Sequence, residues 1–213
     1  FFLGNRNFLS LYNINTIMTF SAILLMVALG QMCAILVGGI DLSVGGLISF
    51  LSVVFSLLIG RLGFLTFPVC LIIGVAVGYI NGNILTRIRI PSFIGTLATG
   101  GILMSLALLV SPRPVNLSPV HYEIVDTVVN GKIFNISKVL YIGLAVLIFY
   151  YMVMRFTKIG RYIYYVGSNI KMSWMSGISI VKIRNIAFML SGLGAAFTAI
   201  MISSLRYGGD PNV

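Results

Sequence analysis

The sequence predicts an all-α protein, a polytopic transmembrane helix bundle. Three observations carry that prediction. Hydrophobic residues make up 59% of the 213, and charged residues only 8%, where globular domains run at roughly 25%. Mean hydropathy is +1.07. Charge-free stretches recur at 7–40, 42–60, 62–86, 90–112, 139–154 and 185–205, and crossing the hydrocarbon core takes about 20 apolar residues, about 17 at the short end. Continuous apolar runs exclude the alternation of a membrane barrel. Composition likewise excludes a soluble enzyme, a disordered chain and a nucleic-acid binder.

The first span covers 14–37 and carries Gln31 in an apolar run. A break follows at Gly38-Gly39-Ile40-Asp41-Leu42-Ser43-Val44-Gly45-Gly46. Its glycines let the backbone leave helical geometry. Asp41 is the one acid set between two spans with almost no loop to shelter it, and a charge at the bilayer centre costs about 2.5–3.5 kcal/mol on insertion scales. Two readings stay open. Asp41 or Ser43 caps the next helix, or Asp41 lines a conduction path or a contact between subunits.

The second span covers 42–60. The third, 64–85, places Gly74, Gly78 and Gly82 four residues apart on one face, where small residues let membrane helices approach closely. Its Asn81 and Asn83, like Gln31, read either as interhelical hydrogen bonds or as the lining of a polar path. Arg87 and Arg89 precede the fourth span, 92–110. The loop 111–137 is mixed in charge, with Arg113 and Lys132 against Glu123 and Asp126. The fifth and sixth spans are 138–155 and 186–205. The sixth carries a second small-residue face at Gly192, Ala195, Ala196 and Ala199.

Between them, 155–184 holds six basic residues and no acid, which makes it cytoplasmic by the positive-inside rule. Counting back, 111–137 is outside, the Arg87–Arg89 turn inside, and residues 1–13 outside. That last placement calls for a helix before Phe1. Residues 1–13 also lack the basic n-region of a secretory leader. The Gly/Pro turn at Tyr207–Val213 reads as the interior of a longer protein.

The inner loop has its own structure. Asn169 is a good helix N-cap and Gly177 a good terminator, with a helix of about two turns between them. Ile170 and Trp174 are four apart, as are Lys171 and Met175, giving adjacent apolar and basic stripes. Such a helix either docks into a groove on a partner or lies on the inner leaflet with Trp174 as interface anchor.

Catalytic constellations are missing. No two acids share a face, and the sequence has no GxSxG, HExxH or GxxxxGK[ST]. Cys33 and Cys70 lack metal or redox spacing and read as small buried hydrophobes. The expectation is therefore no enzyme, no metal and no bound cofactor. Any ATP is bound by another chain.

The ordered strings resemble the inner-membrane permease subunits of ribose-type sugar ABC transporters. The resemblance runs through Gly30-Gln31, Gly38 to Gly45, Gly78 with Asn81-Gly82, and Ile90-Pro91-Ser92-Phe93-Ile94 with Thr96-Leu97. It continues through Pro114-Val115-Asn116, Gly160-Arg161-Tyr162-Ile163-Tyr164, Gly167, Asn169, Ser176-Gly177-Ile178, Ser191-Gly192 and Pro211. The family usually has an acid and alanines after the loop asparagine, where this chain has Ile170-Lys171-Met172-Ser173-Trp174-Met175. Family members also carry a leading helix and roughly a third more chain after the Pro211 region.

The resemblance implies one permease domain, here a fragment over 1–213, in the bacterial cytoplasmic membrane. It implies a second permease copy, an ATP-binding cassette ATPase that holds ATP and Mg, and an extracytoplasmic sugar-binding protein. It implies import of a simple sugar such as ribose, xylose or galactose. Gln31, Asp41, Ser43 and Asn81 are the candidate substrate path. Gly160, Arg161, Gly167, Asn169, Lys171, Trp174, Ser176 and Gly177 are the candidate ATPase-coupling set. The alternatives are the same machinery carrying branched-chain amino acids or nucleosides, an ion-coupled secondary transporter, or an inert fragment.

Overall fold

The computed structural model describes residues 10–212. Residues 1–9, which the sequence assigns to the outer side, and Val213 lie outside the described residues. The expected helical bundle is present. Its long helices are α1 (Leu11–Leu36), α2 (Val44–Leu62), α3 (Thr66–Asn83), α4 (Ser92–Val110), α6 (Lys138–Phe156) and α9 (Ile180–Leu205), with α5 (Tyr122–Val128), α7 (Lys158–Ser168) and α8 (Ile170–Met175) between them.

Five helical runs among the described residues are long and apolar enough to cross a membrane, and one of these, Val44–Ile88, is 45 residues long. At 1.5 Å per residue that run is roughly twice the hydrocarbon thickness. It is folded in two. Gly63, at φ +55°, ends α2 in a conformation that side chains disfavour. The two arms run antiparallel. Phe55 meets Phe67 edge-on near the turn, with centroids 5.3 Å apart. At the far ends Asn81 bonds to Ser43. The run therefore supplies two of the six expected spans.

Small residues decide which helices touch. A Cβ at Gly74 would lie 2.6 Å from both the Ala196 methyl and the Gly192 carbonyl, one at Gly82 would lie 2.7 Å from Asn185 Cα, and Gly78 sits on the Phe188 carbonyl. The two small-residue faces read from the sequence therefore pack on each other. On another side of α9, Gly194 meets the Met26 carbonyl and Gly30 of α1. As a result α9 is the hub: 67% of its most apolar window is buried, against 39% or less in the other spans. Lipid offers no hydrophobic drive between helices, so this close packing is what holds them.

Several elements differ from expectation. Helix α9 starts at Ile180, not 186, because the charges at Lys182 and Arg184 mark the edge of the hydrocarbon and not the end of the helix. Helix α3 continues through a wider π turn, Ile84–Ile88, and stops where Arg89 turns left-handed at φ +63°. The basic loop, expected to hold one short helix, also holds a longer one, α7.

Eight basic residues, Arg87, Arg89, Arg155, Lys158, Arg161, Lys171, Lys182 and Arg184, gather at one end of the bundle. At the other end, β1 (Val115–Asn116) pairs with β4 (Gly208–Gly209), and β2 (Lys132–Ile133) with β3 (Ile136–Ser137), both antiparallel. Asn15 near the start of α1 donates to the Asn135 carbonyl there, at 2.9 Å. The Tyr207 hydroxyl donates to Asp126 at 2.6 Å. That bond raises the Tyr207 pKa above its usual value. Cys33 and Cys70 are free and buried, as expected of small hydrophobes.

Candidate functional site

The break between α1 and α2 is a tight, hydrogen-bonded turn inside the bundle. Gly38, at φ +74°, takes the chain out of α1. Its N–H and that of Gly39 donate to the Ile35 and Ala34 carbonyls, both at 2.9 Å. A Cβ at Gly39 would press into the Phe188 ring at 2.8 Å. Helix α4 supplies the other support. Ser92 accepts from Ile40 N–H at 3.0 Å. Thr96 accepts from Leu42 N–H at 2.9 Å and donates within reach of the Ile40 carbonyl.

Gln31, Asp41, Ser43 and Asn81 converge at this turn. Asp41, 1% exposed, accepts on one oxygen from the Ser43 N–H at 3.1 Å and from its hydroxyl at 2.6 Å. The Ser43 hydroxyl in turn accepts from Asn81 Nδ2 at 2.8 Å. Gln31 Nε2 donates to the Asp41 carbonyl at 2.6 Å. One polar chain thus ties α1, the break and α3. It holds two buried acceptors without a partner, Gln31 Oε1 and Asn81 Oδ1. Buried polar groups are almost always bonded, and exceptions mark strain, a site, or an unplaced water.

Of the two readings for Asp41, simple capping fits less well. Ser43 is the N-cap of α2 but makes no side-chain capping bond. Its hydroxyl is spent on Asp41, whose own bonds reach the cap residue and not the first helical turn. Asn83 stands apart from the cluster. It meets Asn185 at 3.3 Å, and Asn185 meets Thr86 at 3.1 Å.

The expected short helix is α8. Asn169 Oδ1 accepts from Met172 N–H at 3.0 Å, capping it as predicted. Gly177, at φ +77°, ends it. Trp174, Met175 and Met172 are 71%, 67% and 59% exposed, and Lys171 is exposed beside them. A cleft of about 410 Å³ lies behind, lined by Tyr162, Tyr165, Asn169 and Ser176 among others. Gly160 and Gly167, grouped with the coupling residues from the sequence, make close backbone contacts within the chain. Gly160 lies on the Met154 backbone and Gly167 directly on the Leu36 carbonyl. They seat α7 against α6 and against the end of α1. Arg161 is exposed on α7.

Ser92 and Thr96 were named in the sequence only as part of the resemblance, and their hold on the break was missed. The signal was faint: a Ser and a Thr four apart after Pro91. Phe188 and the amphipathic pattern of α7, with Ile163 and Val166 inward, were missed as well.

Residues 13–213 match the family described as branched-chain amino acid transport system, permease component. The chain belongs to this permease family. It is a multi-pass protein of the inner membrane. Among curated relatives, the ribose import permease protein of Haemophilus influenzae is 29% identical over 211 residues, covering 97% of this chain and 65% of the relative. An inner membrane ABC transporter permease protein of Escherichia coli is 33% identical over 201 residues, covering 91% and 60%. The autoinducer 2 import system permease protein of Yersinia pseudotuberculosis is 28% identical over 212 residues, covering 98% and 59%. The chain thus spans less than two thirds of these permeases' length. No solved structure matches it significantly.

Proposed function

We propose that this chain is the membrane-spanning part of an ABC importer for a simple sugar of the ribose class. The observation that carries the reading is a permease-family chain presenting a capped, exposed helix, α8, at its basic end. The positive-inside rule makes that end cytoplasmic. Helix α8 then docks an ATP-binding cassette ATPase, which holds ATP and Mg; this chain binds no cofactor of its own. A second permease copy completes the pathway, and a sugar-binding protein delivers cargo from outside. Motion of the ATPases would reach the bundle as rigid-body displacement of packed helices.

The path runs past the Asp41 cluster. A sugar leaving water needs matching acceptors for its hydroxyls, and Gln31 Oε1 and Asn81 Oδ1 are unfilled ones. The names of the relatives support a sugar or sugar-like cargo. The description of the family supports the second reading, a branched-chain amino acid. Uptake of labelled pentoses, hexoses and leucine separates the two, and leucine uptake without sugar uptake sinks the first. An ion-coupled carrier is tested by dissipating the proton gradient while ATP is kept. Loss of uptake would favour that class.

A further inference from the structure

At the basic end a groove of about 460 Å³ opens between the π turn after α3, the start of α4 and the first turns of α9. Leu85, Ile90 and Ile180 give it apolar walls, and its polar groups are Thr86, Arg89 and Arg184. The Thr86 hydroxyl already donates to the Gly82 carbonyl at 2.7 Å. Recognition therefore falls to the two guanidinium groups. Arg184 Nε is buried and has no hydrogen-bond partner.

Among the described residues no acid neutralises this pair. Of the four acids, Glu123, Asp126 and Asp210 sit at the opposite end of the bundle. Asp41 has its bonded oxygen held by Ser43. Two like charges lining one groove, one of them partly buried, favour an anion there. Guanidinium groups match phosphate oxygens with their planar fork. The apolar walls decide the source: a free phosphate is solvated on all sides, whereas a phospholipid brings glycerol and acyl chain to cover Leu85, Ile90 and Ile180. Basic pockets between helices on the cytoplasmic side suit anionic headgroups.

We infer that the groove between Arg89 and Arg184 binds the phosphodiester headgroup of an anionic phospholipid from the adjoining leaflet. The test is native mass spectrometry of the purified chain in mild detergent, titrated with phosphatidylglycerol or phosphatidylcholine. Phosphatidylglycerol is retained in preference. R89Q, at an exposed side chain, weakens retention about five-fold, and R89Q/R184Q about 25-fold, five-fold for each charge near the surface. K158Q, outside the groove, leaves it unchanged, and millimolar inorganic phosphate does not displace the lipid. Thermal melts of each variant confirm that it is folded, and R89Q alone carries the test if the double variant is not. Equal retention of the two lipids, wild-type retention in R89Q, or displacement by inorganic phosphate overturns the assignment. So does loss of ATPase co-purification in R89Q with lipid retention unchanged, which gives the groove to a partner protein.

Discussion

Ser43→Ala and Asn81→Ala delete the same hydrogen bond, yet they should differ sharply in stability. Asn81→Ala removes its bond to Ser43, a loss of about 0.5–1.5 kcal/mol, and leaves a small cavity costing about 1 kcal/mol. It also removes Oδ1, a buried acceptor without a partner, which returns about 1–3 kcal/mol. The net change is about zero. Ser43→Ala breaks two bonds, to Asp41 and from Asn81, and strands Asn81 Nδ2 as well as Oδ1 in an apolar setting. That costs about 2–4 kcal/mol. The double variant then has nothing left stranded on Asn81 and should recover about 1–2 kcal/mol relative to Ser43→Ala alone, a coupling within the range seen for residues in one network. Equilibrium unfolding in mixed micelles for the four proteins of this cycle gives the numbers. If Asn81→Ala is as damaging as Ser43→Ala, or the two effects simply add, the acceptor is not stranded and the account of the cluster fails.

Four other outcomes are expected. Asp41→Asn keeps expression normal and abolishes transport; wild-type uptake in cells would leave Asp41 only a role in holding the turn. Trp174→Asp puts a charge on the exposed face of α8 and lowers ATPase co-purification at least ten-fold with unchanged membrane insertion, read by pull-down. Gly78→Val drives a side chain into the Phe188 carbonyl and Met189, so the melting midpoint in detergent falls by an amount matching about 3 kcal/mol or more. Tyr207 donates to Asp126, which raises its pKa; the stability from that bond is complete below the ordinary tyrosine pKa of about 10 and is lost as pH rises through the raised one. Tyr207→Phe therefore lowers the melting midpoint modestly at neutral pH and removes the bond's alkaline loss, so variant and wild type converge as pH rises through the raised pKa.

The spans were legible because each is a long apolar run whose edges are charges. The contact between α3 and α9 was half legible. Gly74, Gly78 and Gly82 announce a close approach, and so do Gly192 and Ala196, but nothing in the spacing says that the two faces meet. The Asp41 cluster was legible as a set of polar groups out of place. Its connectivity was not, because Asn81 reaches Ser43 across 38 positions of chain. Helix α7 is clearly amphipathic, with Gly160, Ile163 and Val166 inward; it escaped because the density of basic residues over 155–184 marked the stretch as loop. Ser92 and Thr96 escaped because a hydroxyl that supports a turn in another segment looks no different from one that bonds its own helix.

Gly167 lies on the Leu36 carbonyl with no side chain between them. Two backbones in direct register form a joint without give, since there is no rotamer to turn and no methyl group to slide. A thrust delivered to α8 and passed along α7 would reach the end of α1 undamped, two residues before the first bent glycine of the turn. On the proposed coupling, the soft point would be Gly38 and not the loop. Displacement would concentrate at the few bonds around Asp41, so a small stroke at the membrane surface would become a local change of angle deep in the bundle.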